Sequence, residues 1–193
     1  MARPGRWKEI VEVAANLFLA KGFSATSLED IAREVGMYKG SLYHYIESKE
    51  DLLFAVVREP AELILGEVRA MKDVDLPPSE KIRRLARIHA VVLQENFAYA
   101  SVYLNEVAGR DRSDEWSAMD REYLAALVEI IREGQRRGEF SSDLDPRISA
   151  LALIGSLNWV THWYRPDGVL TGSEIADRFS EFFLGGLLSR SRA

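Results

Sequence analysis

The stretch ATSLEDIAREVGMYKGSLYHYIESKEDLL, residues 25–53, decides the fold of this 193-residue chain. Thr26 or Ser27 can cap a short helix, because a hydroxyl oxygen accepts hydrogen bonds from free N–H groups of the first turn. Gly36 ends that helix, and another short helix is predicted over residues 39–46. Two short helices joined by a glycine-containing turn, with a packing helix before them, are typical of a helix-turn-helix.

Three ring side chains follow one another on the later helix, Tyr43, His44 and Tyr45, and point about 100° apart. Leu42 and Ile46 form its buried stripe, with Tyr45 partly beside them. The outward side then carries Lys39, Gly40, Tyr43 and His44. This face suits a DNA groove, because it combines a small residue, a positive charge and a hydroxyl-bearing ring. The alternative is that Tyr43 and Tyr45 are core rings of a small bundle.

The quoted stretch resembles the DNA-binding domain of the TetR (tetracycline-repressor) family of bacterial regulators. The resemblance covers residues from about 6 to 53 and includes Gly22-Phe23, Thr26, Ile31-Ala32, Gly36, Lys39-Gly40, Leu42-Tyr43, Tyr45 and Lys49. It implies that Tyr43, Tyr45 and Lys49 contact DNA phosphates. Tyr38 and Ile46 depart from the family pattern, and Tyr38 is expected to add a contact of its own. The predicted DNA-binding residues are therefore Ser27, Tyr38, Lys39, Gly40, Ser41, Tyr43, His44, Tyr45 and Lys49.

The rest of the chain continues with apolar residues at helical spacing and shows no strand pattern. The predicted fold is all-α, with a three-helix DNA-binding head, a fourth connecting helix and a bundle of about five further helices. Pro60 lies inside the connecting helix and is predicted to kink it. We expect residues 1–50 to form the head and residues 51–193 to form a domain for ligand binding and dimerisation.

Composition excludes several functional classes. The chain has no cysteine, so it has no disulfide, thiolate metal site or cysteine nucleophile. His44, His89 and His162 lack metal-ligand spacing, and no phosphate loop or catalytic serine motif occurs. Glu106 and Asp111 flank a glycine loop and are predicted to be solvated. We therefore expect a cytoplasmic protein that is not an enzyme and holds no cofactor or metal.

The net charge of −5 is unevenly placed along the chain. Residues 1–50 carry seven basic and seven acidic side chains, so the negative excess lies entirely in the remainder. A neutral head does not by itself indicate nucleic-acid binding. The local placement of Lys39 and Lys49 therefore matters more than the total.

The second part of the chain carries more aromatic surface than a small bundle needs. Together with a few polar groups it predicts a ligand pocket, formed by His89, Phe97, Tyr103, Asn105, Trp116, Tyr123, Trp159, Trp163 and Arg165. The alternative for any one ring is a place in the core or in a dimer interface.

Two segments, NWVTHWYRPDG at 158–168 and SEIADRFSEFFLGGL at 173–187, resemble the C-terminal halves of TetR members that control fatty-acid, phenylacetate or sterol degradation. This resemblance implies an acyl-CoA effector. Trp163 would then stack on the adenine ring and Arg165 would pair with a phosphate. Arg165 could equally cap the carbonyls at its helix end.

The segment PRISALALIGSLNWVTHWY, residues 146–164, is apolar on nearly every side in its first half. Such a helix is buried all round, which in a chain of this size predicts a second subunit. The predicted dimer contact consists of Leu151, Ile154, Leu157, Phe179, Phe183 and Leu187.

These observations together predict a homodimeric, ligand-responsive transcriptional repressor that binds a palindromic DNA operator. An acyl-CoA is the expected small-molecule effector, and no membrane partner is expected. Two alternatives stay open at this point. One is a regulator of drug efflux with an aromatic inducer, and the other is a helical carrier of an apolar ligand that does not bind DNA.

Overall fold

Helices make up nearly all the regular structure of the computed structural model, which describes residues 4–71, 74–107, 114–165 and 167–188. Over these residues the β-structure is a single isolated antiparallel bridge between Phe140 and Leu188. The all-α prediction is therefore confirmed. Within the described part, no helix is long and apolar enough to cross a membrane.

The chain divides into two compact units. Unit 1 consists of Met1–Ala61 and Asn96–Asp111, and unit 2 consists of Glu62–Glu95 and Arg112–Ala193. These bounds differ from the predicted functional division at residue 50. That division stays a prediction, because compactness does not report which residues bind DNA.

Unit 1 begins with α1 (Pro4–Lys21) and α2 (Leu28–Glu34). The apolar stripe of α1 is buried as its spacing predicts, with Ile10 and Ala14 fully buried. Gly22 follows α1 with φ +81°, a left-handed conformation that glycine adopts without steric cost.

The second helix of the predicted helix-turn-helix, α3, spans Lys39–Leu42 and is shorter than the predicted residues 39–46. Its backbone continues in a tighter turn, in which Tyr45 N–H donates to the Leu42 carbonyl at 2.9 Å. Leu42 and Ile46 are buried, as the sequence predicts. Helix α4 (Lys49–Met71) follows and contains Pro60, and its predicted kink stays a prediction.

The second segment of unit 1 contains α6 (Phe97–Val102) and a π-helical turn (Tyr103–Val107). The sequence predicts one unbroken helix up to Gly109, but the backbone of Asn96 leaves helical geometry with φ −119° and ψ 39°. Helix α6 packs against α1.

Unit 2 is built from α5 (Pro78–Glu95), α7 (Asp114–Arg136), α8 (Pro146–Trp159) and α9 (Gly172–Leu187). Helix α5 packs on α9 and α7, and α7 packs on α8. Their shared core includes Leu127, Ile131 and Leu153, each at most 1% exposed. The side-chain oxygens of Asp145 and Thr171 cap the first turns of α8 and α9, respectively.

The chain packs closely on itself at the end of α7. Gly138 turns the chain with φ +73°, and the buried ring of Phe140 then folds back against Gly134. A Cβ on Gly134 would lie 2.1 Å from the Cδ2 of Phe140. The absence of a side chain at residue 134 therefore makes this contact possible.

Candidate functional site

The outward face of α3 is the most exposed set of rings in the head. Tyr38 precedes the helix and is 88% exposed, and Tyr43 is 51% exposed. Lys39, Gly40 and His44 are also exposed, whereas Ser41 is half-buried. Since Leu42 points into the core, the structure separates a buried side from a side available to a partner.

Tyr45 lies on the border of these two sides. Its side chain is half-buried, and its ring stacks parallel to Trp7 of α1 with centroids 6.4 Å apart. The ring therefore helps to hold the turn after α3 against α1. This agrees with the alternative prediction from the sequence, in which Tyr45 packs inside the bundle.

Lys49, predicted to contact phosphate, is engaged inside the head. Its Nζ donates to the Phe23 carbonyl at 2.9 Å and to the Thr26 carbonyl at 3.0 Å. It also lies 4.2 Å from the centroid of the Phe23 ring. An ammonium group has three N–H donors, so one remains for an outside partner. In this structure Lys49 clamps the turn between α1 and α2.

Ser27 also has an internal role. Its hydroxyl accepts the Asp30 backbone N–H at 3.1 Å, and the Ser27 N–H donates to the Asp30 carboxylate at 3.1 Å. The backbone hydrogen bond from Ser27 is the main reason that the pKa of Asp30 falls to about 2. This reciprocal capping box fixes the start of α2, and a DNA contact by Ser27 stays a prediction.

Glu106 was missed by the sequence reasoning, which predicts it to be solvated. The carboxylate lies in the π-helical turn and accepts the backbone N–H of Phe23 at 2.9 Å. Phe23 is thus held at its N–H by Glu106 and at its carbonyl by Lys49. No sequence signal could reveal a pair 83 positions apart. Asp111 lies outside the described residues.

The predicted ligand residues are distributed over both units. Phe97, Tyr103 and Asn105 belong to unit 1, where the two rings are half-buried and Asn105 is exposed. The side chain of Trp116 lies outside the described part of the chain. The remaining predicted residues belong to unit 2 and are His89, Tyr123, Trp159, Trp163 and Arg165.

His89 and Tyr123 form a polar cluster in unit 2. The Nδ1 atom of His89 lies 2.9 Å from the Tyr123 hydroxyl, and Asn158 also hydrogen-bonds to the imidazole. Burial lowers the pKa of His89 to about 4, which the hydrogen bond to Asn158 only partly opposes. Burial of its hydroxyl raises the pKa of Tyr123. Both groups are therefore neutral at pH 7 and can exchange hydrogen bonds with a neutral polar group.

Lowering the pH should destabilise the fold through His89. Its folded pKa of about 4 lies below the ordinary histidine pKa of 6.5, so the unfolded chain binds the proton more readily and stability falls as pH drops from about 6.5 to about 4. We expect the free energy of unfolding to be about 2–3 kcal/mol lower at pH 4.5 than at pH 7. Urea denaturation at fixed protein concentration measures this difference.

His89→Gln should remove most of this pH dependence, because glutamine does not titrate. Asp30 serves as an internal comparison, since its lowered pKa of about 2 moves its own loss of stability below pH 4. An equally steep decline between pH 6.5 and pH 4.5 in His89→Gln would contradict the assignment.

Aromatic rings remain exposed after the end of α8. Trp159 is 60% exposed and stacks on the His162 ring with centroids 3.9 Å apart. Trp163 is 44% exposed and lies beside Phe179, with centroids 6.3 Å apart. Arg165 follows and is exposed as well. Trp163 and Arg165, two positions apart in the sequence, are thus both open to solvent.

The predicted dimer residues divide into three kinds. Leu157 and Leu187 are buried in the core of unit 2 at 1% and 3% exposure, so they present almost no surface to a partner. Ile154, Phe179 and Phe183 are half-buried against the same core. Of the six, only Leu151 is exposed, at 44%. The apolar face that is open consists instead of Ile148, Leu151, Ala152, Gly155, Trp159, Phe182, Gly185 and Gly186.

This open face, here called the α8–α9 face, contains a groove of about 630 Å³. The groove is lined by Leu144, Ile148, Ser149, Ala152, Glu181, Phe182, Phe183, Gly185, Gly186 and Leu187. Phe182 at its edge is 88% exposed. Burial within the single chain therefore favours other contact residues than most of the six predicted ones, and the dimer contact itself stays a prediction. Helix α8 is apolar on two sides, and periodicity alone does not say which side faces its own core.

Among the described residues, no group of three or more histidine, aspartate or glutamate side chains could hold a metal ion.

Comparison with known families finds two matches along the chain. The family described as "Bacterial regulatory proteins, tetR family" matches residues 10–56. The family described as "Tetracyclin repressor-like, C-terminal domain" matches residues 75–187.

Individual proteins match over almost the whole length. The HTH-type transcriptional repressor KstR2 of Mycolicibacterium smegmatis is 28% identical over 186 residues, covering 94% of this chain and 90% of that protein. The structure of the ketosteroid transcriptional regulator KstR2 of Mycobacterium tuberculosis superposes with a TM-score of 0.89 at 26% identity, covering 98% of both chains. AibR in complex with isovaleryl coenzyme A and operator DNA gives a TM-score of 0.78 at 28% identity, covering 92% of this chain and 97% of AibR.

Proposed function

This chain belongs to the TetR family of bacterial transcriptional regulators, and we propose that it is a repressor that an acyl-CoA releases from operator DNA. The observation that carries the DNA-binding part is the outward face of α3, which leaves Tyr38, Lys39 and Tyr43 exposed while Leu42 holds the helix to the core. A regulator of this kind works where the DNA is, so the predicted cytoplasmic location is part of the proposal.

In this proposal α3 enters the major groove. Lys39 reads base edges beside Gly40, and the hydroxyl of Tyr43 donates to a phosphate oxygen. Tyr38, at the N-terminus of α3, adds a phosphate or base contact. Lys49 keeps the turn between α1 and α2 in place through its two carbonyl partners and has one N–H left for phosphate.

The effector part rests on the relatives and on the exposed rings of unit 2. AibR, of the same fold and 28% identical, binds isovaleryl coenzyme A. In this chain Trp163 offers an open ring face to an adenine, and Arg165 offers charge to a phosphate. The neutral pair of His89 and Tyr123 would accept a polar group of the acyl portion.

The protein acts as a homodimer in this proposal, with the α8–α9 face as its contact. The face is apolar and includes three exposed glycines, Gly155, Gly185 and Gly186, that permit close approach of helices. Two copies related by a twofold axis would carry two reading helices, so the operator is expected to be palindromic.

The two alternatives from the sequence are less well supported. KstR2 is a ketosteroid transcriptional regulator and AibR binds isovaleryl coenzyme A, which does not favour a regulator of drug efflux for this chain. A carrier that does not bind DNA would not explain why residues 10–56 match the family of tetR bacterial regulatory proteins.

The test is a gel-shift assay with the DNA upstream of the protein's own gene. The bound complex is titrated with acyl-CoAs of increasing chain length, the free acids and CoA alone. We expect shifted DNA without effector and release by one or more thioesters. Equal release by the free acids would contradict a role for the CoA group in the effector. Release only by a drug-like compound would favour a regulator of drug efflux.

Arg165→Ala tests whether Arg165 binds a phosphate of the acyl-CoA. Losing a charge-assisted hydrogen bond to phosphate should raise the acyl-CoA concentration needed for release by about tenfold. Arg132→Ala, an exposed arginine of α7 in the same unit, is the matched control and should leave that concentration unchanged. Equal behaviour of the two variants would contradict the role of Arg165.

A further inference from the structure

We propose that Glu29 is a specificity-determining residue, which neutralises Lys39 in the free protein and so weakens binding to DNA of the wrong sequence. The inference rests on the proposed function, because it concerns how α3 chooses among DNA sequences. It assigns a role to an acidic side chain that lies within the DNA-reading surface itself.

The geometry places the two charges in contact. The Oε1 atom of Glu29 lies 3.2 Å from the Nζ atom of Lys39. Glu29 is the second residue of α2 and Lys39 is the first residue of α3, so the pair bridges the two helices of the motif. Both side chains stay open to solvent, at 67% exposure for Glu29 and 46% for Lys39. A duplex can therefore reach Lys39 and compete with Glu29.

Glu29 differs from the other acidic residues of α2. Asp30 is occupied by the Ser27 backbone and by Arg33. Glu34, at the far end of α2, forms no ion pair within the described part of the chain. Glu29 is thus the acidic side chain of α2 that is directed to a predicted DNA-reading residue.

The charge pair acts differently on the two classes of DNA. On an unrelated sequence, Lys39 gains at most a contact with a phosphate. To make this contact it gives up its ion pair with Glu29, and the carboxylate of Glu29 is then left unpaired near the negatively charged DNA. On the right sequence, the O6 and N7 atoms of a guanine accept from Lys39 and replace the carboxylate. Glu29 therefore lowers affinity for all DNA, but it lowers affinity for the operator least.

The experiment measures binding of the full-length protein to a scrambled duplex of about 25 base pairs and to the DNA upstream of its own gene, over a salt series. Glu29→Gln should raise affinity for the scrambled duplex by roughly two- to fivefold at low salt, the range of an exposed ion pair. The salt dependence should steepen by about 0.9 for each head that touches the duplex. Operator affinity should rise less, so the specificity ratio falls.

Glu34→Gln is the matched control, since it removes the same charge from the same helix. A double-mutant cycle with Lys39→Met completes the design, because Glu29→Gln should then act no more strongly than Glu34→Gln. Glu29→Asp retains charge in the first turn of α2, where it favours the helix, but shortens the side chain. Like Glu29→Gln, it should raise affinity for the scrambled duplex.

Three results would overturn the inference. They are equal effects of Glu29→Gln and Glu34→Gln, an undiminished effect of Glu29→Gln in the Lys39→Met background, and no change in either Glu29 variant. Failure of the proposed function gives a different result, since the unmodified protein would then bind neither duplex.

Discussion

Leu151→Glu is expected to convert the protein into a monomer and to weaken operator binding by about 100-fold or more. Leu151 is an exposed leucine of the α8–α9 face, and a buried carboxylate without a partner is strongly unfavourable in an apolar contact. Two linked heads bind one operator far more tightly than two separate heads, which explains the size of the loss. Sedimentation at micromolar concentration and operator titration measure the two effects.

Leu19→Glu is the matched control for sedimentation. It introduces the same side chain at a leucine of nearly equal exposure, 42% against 44%, but on α1 of unit 1. This variant should sediment like the unmodified protein. Unchanged sedimentation of Leu151→Glu, or a monomeric unmodified protein, would exclude the α8–α9 face as the dimer contact.

Gly134→Ala should lower the free energy of unfolding by about 3 kcal/mol. The new Cβ would lie 2.1 Å from Cδ2 and 2.5 Å from Cε2 of Phe140. That ring is 1% exposed, so it cannot swing into solvent without leaving the core. Urea denaturation at fixed protein concentration measures the loss.

Two further variants test the cause of this loss. Gly66→Ala, within α4, adds a Cβ with no neighbour within 4 Å, so it should stabilise the fold by up to about 1 kcal/mol through helix propensity. Gly134→Ala combined with Phe140→Leu should lose less stability than the two single changes added together, because the smaller side chain relieves the clash. Strict additivity would show that the clash is not the cause.

Local sequence signals determined the elements of the head. The capping serine, the terminating glycines and the apolar spacing each act within a few residues, so α1, α2 and the turn at Gly36 follow from the sequence alone. The exposed side of α3 followed from the same spacing, because Leu42 and Ile46 leave Tyr43 and His44 no inward position. The family resemblance then predicts that this side contacts DNA.

Tertiary structure alone decided where the long-range partners lie. The contacts of Lys49 with Phe23 and of Glu106 with Phe23 join residues 26 and 83 positions apart, and no local periodicity encodes them. The pair of Glu29 and Lys39 likewise depends on the angle between two helices. The spacing of residues along either helix does not determine this angle.

The apolar face of α8 shows the same limit most clearly. The sequence determined that α8 is apolar on more than one side, and it predicts that some of this surface meets a second subunit. Only the packing of α5, α7 and α9 decided that Leu153 and Leu157 face the core while Ile148 and Leu151 stay open. Hydrophobic burial is non-directional, so which of two apolar sides turns inward is determined by the shape of the neighbouring helices.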